Sequence, residues 1–144
     1  MTGGQPPFAV QRVVFLALLG GMAAFALVVA MVLQGNGGRG LAETPIEMLD
    51  IAAVGIGATN AVLAFVLRAI LHGRIAAQPP QQQATARFAA TLVPIAVLEG
   101  GCMLALTAWM LNGAPFPNAL VAGVLFAVAV TITPFRDPDR SDPA

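Results

Sequence analysis

The residue most capable of chemistry in this chain is a carboxylate, Glu99, set alone in an apolar run from Phe88 to Leu111. Counting from Phe88 it is the twelfth residue, about 18 Å along a helix that rises 1.5 Å per residue. A run of this length matches a bilayer core of about 30 Å, so Glu99 is expected near the middle. An ionised carboxylate at that depth costs at least about 2.5–3.5 kcal/mol on insertion scales, and residues placed there usually serve ions or protons. Asn60 is its expected partner. It stands eleven residues from the end of the preceding apolar segment, Asp50 to Leu71, so antiparallel neighbours would bring both groups to one depth. An Asn amide donates to a carboxylate or accepts from a carboxylic acid. Thr59 offers a hydroxyl either to that site or to its own helix backbone. Pro94 and the pair Gly100–Gly101 flank the carboxyl. A missing backbone bond on one side and exposed carbonyls on the other let a helix bend locally. The competing reading is a neutral Glu99 that only pins two helices through one hydrogen bond to Asn60.

The other singular residues exclude more than they offer. One Cys (Cys102) and one His (His72) leave no disulfide scaffold, zinc site or nucleophile–base pair. No catalytic residue, metal ligand or cofactor is therefore expected. The stretch Gly35 to Gly40 (GNGGRG) lacks the strand-to-helix setting of a phosphate loop and reads as a flexible turn.

Composition sets the class. Of 144 residues 58% are hydrophobic and 10% charged, against about 25% charged in soluble domains. The seven basic residues are all Arg and are balanced by seven acids, which excludes a basic nucleic-acid binder. The chain reads as an all-α integral membrane protein, a single domain with the lipid bilayer as its first partner. Four transmembrane helices are expected near 12–33, 48–72, 86–111 and 118–134, followed by a polar tail at 135–144. The last is the shortest, fenced by Pro115, Pro117 and Pro134.

Arginine placement orients this four-helix bundle. With both termini in the cytoplasm, Arg12, Arg68, Arg74, Arg87, Arg136 and Arg140 lie inside and Arg39 alone outside. A multi-pass protein of the plasma or inner membrane is expected, with Trp109 in the outer headgroup belt. Small residues recur along the spans: Gly55, Gly57 and Ala61 in the second, Gly100 and Gly101 in the third. In lipid such faces let helix backbones approach closely, either within one bundle or between copies in a homo-oligomer.

The second and third spans resemble the rotary ATP synthase c subunit, the proteolipid, over roughly residues 53–111. Gly55-x-Gly57 stands for that family's glycine repeat, Ala77-Gln78-Pro79 for its polar loop, and Leu98-Glu99-Gly100 for the ion-carrying element, with Arg87 before the second helix. The resemblance implies a non-enzymatic subunit that carries H⁺ or Na⁺ on Glu99, as a homo-oligomer or within a larger membrane complex. Few oxygen ligands surround Glu99 in the sequence, which favours H⁺. The alternative is a structural or assembly subunit. Small four-helix drug exporters place their glutamate in the first helix among aromatics, and this chain has no Tyr.

Overall fold

Apolar runs bounded by Gly and Pro become helices, because a chain without other partners for its backbone satisfies N–H and C=O groups internally. The computed structural model describes residues 8–134. They form α1 (Phe8–Gly35), α2 (Glu47–Ile75), α3 (Pro80–Asn112) and α4 (Asn118–Ile132). The expected tail at 135–144 lies outside the described residues.

Two helix boundaries depart from expectation for local reasons. α3 begins at Pro80 rather than near 86, since Pro suits a first helical position and Gln, Ala and Arg propagate a helix well. The expected loop of 72–87 thereby shrinks to a turn at 76–79, α2 continuing to Ile75. α4 stops at Ile132, and Thr133 turns extended (φ −76°, ψ 124°), the conformation that a following proline, Pro134, imposes. α1, α2 and α3 are each long and apolar enough to cross a membrane. α4 has 15 residues, about 22 Å of helix, so three full-length helices stand where four were expected.

α3 is the axis of the bundle. It packs against α1, α2 and α4, while among the described residues the backbones of α1 and α2 do not approach each other closely. The core is built on α3 by Ile95, Leu98 and Leu106, met by Phe15, Met22 and Val29 from α1 and Leu125 from α4. Phe15 tilts onto Phe88 with ring centroids 5.6 Å apart. α2 joins through small residues, Ala53, Gly57 and Ala64, so contact there is backbone against side chain. A Cβ on Gly57 would strike Val121 of α4.

One end of the bundle, here called distal, carries the α1–α2 and α3–α4 connections. Leu41 N–H donates to the Met110 carbonyl (3.1 Å) and Ala42 N–H to that of Leu111 (3.0 Å). These bonds satisfy carbonyls that a helix end leaves open. Gly113 completes the cap at φ +79°, its N–H donating to Trp109 (2.8 Å). A Cβ there would strike the backbone nitrogen of Gly40. The opposite, proximal end carries the turn at 76–79.

Candidate functional site: a mid-helix carboxyl and a distal polar cluster

Glu99 lies in the middle of α3, half-buried. Its Oε1 faces α1 at Gly21, 3.7 Å from where a Cβ on that glycine would sit. Among the described residues no hydrogen bond reaches this carboxyl. Gly21 is one of two consecutive glycines, Gly20–Gly21, in α1. Here it makes room for a carboxylate.

Asn60 is not at that site. Its Nδ2 donates to the carbonyl of Val97 (3.0 Å) and abuts Gly101, where an added Cβ would be 2.9 Å away. The direct Glu99–Asn60 pairing expected from depth is therefore replaced by a bond from Asn60 to the α3 backbone. The reason is azimuth. Val97 and Gly101 each lie two residues from Glu99, about 200° around a helix of 3.6 residues per turn. α2 and α1 thus sit on opposite sides of α3, with Asn60 on one and Glu99 on the other.

The remaining expected residues divide. Thr59 is exposed and bonds its own helix through Gly55 (2.8 Å), so it lies away from Glu99. Gly55 and Gly100 face open space, whereas Gly57 and Gly101 are close-approach points, Gly101 meeting both Asn60 and Leu125. Ala61 is half-buried against the core. Cys102 is buried, its thiol 3.6 Å from the Ala122 carbonyl. It borders an apolar crevice of about 350 Å³ between α1, α3 and α4, with Met22, Trp109 and Phe126. His72 is exposed, Nδ1 lying 2.9 Å from the Arg68 carbonyl.

A second polar constellation, at the distal end, escaped sequence reading. Asp50 Oδ1 accepts from Nδ2 of Asn112 (2.7 Å) and from Nδ2 of Asn118 (2.6 Å). Asn112 also clamps Ile46 in both directions, donating to its carbonyl (3.1 Å) and accepting from its N–H (2.9 Å). One carboxylate thereby ties the starts of α2 and α4 to the end of α3. Asn118 is fully buried, and its Oδ1 has no partner among the described residues. The signal available was weak: three polar residues, each at the end of an apolar segment, with topology bringing those ends together.

Charge is sorted along the axis. The distal end carries Glu43, Glu47 and Asp50 with Arg39; the proximal end carries Arg12, Arg68, Arg74 and Arg87. Among the described residues no three His, Cys, Asp or Glu converge as a metal site. No family model, curated protein or solved structure matches this chain. Chemically, Glu99 has a carboxyl that can exchange a proton. The two expected oxygen ligands bond elsewhere, Asn60 to the Val97 carbonyl and Thr59 to that of Gly55.

Proposed function

We propose that this protein is a multi-pass integral membrane subunit that carries a proton on Glu99. The observation behind this reading is a lone carboxyl midway along the most central helix, without a hydrogen-bond partner among the described residues and beside a glycine. Large apolar side chains face outward along α1 and α2, among them Leu27 at 62%, Val62 at 65% and Phe65 at 54% exposure. Such a surface suits hydrocarbon and not water. The arginine distribution supports both termini and the 76–79 turn on the cytoplasmic side of a plasma or inner membrane. The c-subunit resemblance, carried by Gly55-x-Gly57, Ala77-Gln78-Pro79, Arg87 and Leu98-Glu99-Gly100, supports ion translocation in an oligomer or a larger complex. H⁺ is favoured over Na⁺ because Asn60 and Thr59, the expected oxygen ligands, bond backbone carbonyls instead.

Reconstitution into proteoliposomes tests the reading. Carbodiimide treatment should modify Glu99, as located by peptide mass mapping, and proton flux should stop. Glu99→Gln should assemble normally and carry no protons. Flux that survives Glu99→Gln rejects the carrier role.

A second reading, a structural or assembly subunit, is supported by the bond from Asn60 to Val97, which pins α2 to α3 without using Glu99. In that case Glu99→Gln alters neither flux nor assembly.

A further inference from the structure

Between α1 and α4 the bundle is not closed. α4 rests mainly on α3 and α2, and on its α1 side the apolar crevice of about 350 Å³ remains. Its walls are small side chains, Ala23 and Ala26 on α1 with Ala119 and Gly123 on α4, while Cys102 and Trp109 mark its two ends along α3. The ends of α1 and α4 that lead to the chain termini lie at the proximal end, away from it. Cys102 stands three residues beyond Glu99 and Trp109 ten, about 5 and 15 Å along the helix axis. With Glu99 at the middle of a core about 30 Å thick, the crevice runs from near the midplane to the distal headgroup boundary, the depth of one lipid leaflet.

We propose that this crevice binds one acyl chain of a distal-leaflet phospholipid, whose ester carbonyl accepts from the Trp109 indole. Size, lining and level support it. Left dry and empty, the slot would forfeit dispersion contacts along its whole lining, and its apolar walls offer water no partners. A helix of a second copy is too thick: a stretch about 10 Å long and 10 Å wide fills about 800 Å³, more than twice the crevice. A single hydrocarbon chain matches both its width and its direction along the bundle. At the distal end the Trp109 indole N–H reaches no acceptor among the described residues, and an indole at the lipid boundary usually finds one. The ester carbonyl at the head of an acyl chain stands at that level. The inference rests on the membrane reading above and is independent of proton carriage by Glu99.

Trp109 is the single Trp of the chain, so its fluorescence reads the crevice directly. The test titrates the full chain in detergent micelles with phosphatidylcholine brominated along one acyl chain, and follows the complex by native mass spectrometry. Quenching of Trp109 should saturate at low lipid mole fraction, and one phospholipid per chain should be retained. Gly123→Leu fills the crevice from a position with open space around it and should lose both signals. Gly20→Leu adds the same side chain at an exposed, open position of α1 outside the crevice and should keep both. Trp109→Phe should weaken retention about fivefold, the loss of one hydrogen bond. Quenching that rises with mole fraction without saturating, retention that survives Gly123→Leu, or equal losses from Gly20→Leu and Gly123→Leu would overturn the proposal. So would a dimer without lipid that Gly123→Leu splits, which would give the crevice to a second copy, or complete displacement of the phospholipid by an equimolar free fatty acid. Release of the protein from membranes by carbonate wash would defeat the membrane reading separately, and flux through Glu99→Gln would leave this inference standing.

Discussion

Asp50→Ala should be among the most damaging single substitutions in the chain, although Asp50 is only half-buried. The substitution removes two short hydrogen bonds, from Asn112 at 2.7 Å and Asn118 at 2.6 Å. Asn112 keeps Ile46 as an alternative partner, but Asn118 is fully buried with its Oδ1 already unpartnered. With Asn112 re-paired to Ile46, the loss is chiefly the Asn118 bond to a charged group, about 1.5–3 kcal/mol, plus about 1–3 kcal/mol for the buried amide left orphaned, so Asp50→Ala should cost about 3–6 kcal/mol. Asn118→Ala removes one bond and the orphan oxygen together, leaving Asp50 with Asn112 and solvent access, and should cost about 1–2 kcal/mol. The double variant should then cost less than the two added, by about 1–2 kcal/mol of coupling. Reversible unfolding of the purified protein in mild detergent measures all four corners of this cycle. Additive costs, or Asn118→Ala proving worse than Asp50→Ala, would show that the carboxylate is not what holds the distal end together.

Asn60→Ala should cost less than about 1 kcal/mol, the usual scale of interhelical hydrogen bonds in membranes, and should leave carbodiimide labelling of Glu99 unchanged; a changed labelling rate would place the two groups in contact after all. Glu99→Gln should unfold at the wild-type midpoint while losing labelling at that position, and a drop of several degrees would assign Glu99 a structural role instead. Gly113→Ala should destabilise by about 1–2 kcal/mol from its left-handed backbone alone, with more from collision with Gly40, whereas Gly100→Ala, facing open space, should be neutral or slightly stabilising by unfolding midpoint.

Hydropathy along the chain was sufficient to find the helices and to set Glu99 at mid-helix, because both follow from one coordinate. Each residue advances the axis by about 1.5 Å whatever its neighbours do. The same local logic explains why Thr59 could be read as bonding its own helix, which it does. Boundaries were less legible: the end of α4 beside Pro134 was found to within two residues, whereas the start of α3 at Pro80 was missed by about a turn and a half.

Azimuth was not legible. A residue turns about 100° per step, so a difference of two residues sends a side chain to the other side of its helix. Which side meets which neighbour depends on how all the helices pack. That separation put Asn60 against Val97 and Gly101 on the α2 side, and Glu99 against Gly21 on the α1 side. The distal cluster has the same origin. Asp50, Asn112 and Asn118 are up to 68 positions apart in the chain, and no local pattern distinguishes them from ordinary loop residues. They became one site only when three helix ends converged, because a buried amide there needed an acceptor and Asp50 alone among the nearby carboxylates was brought within reach.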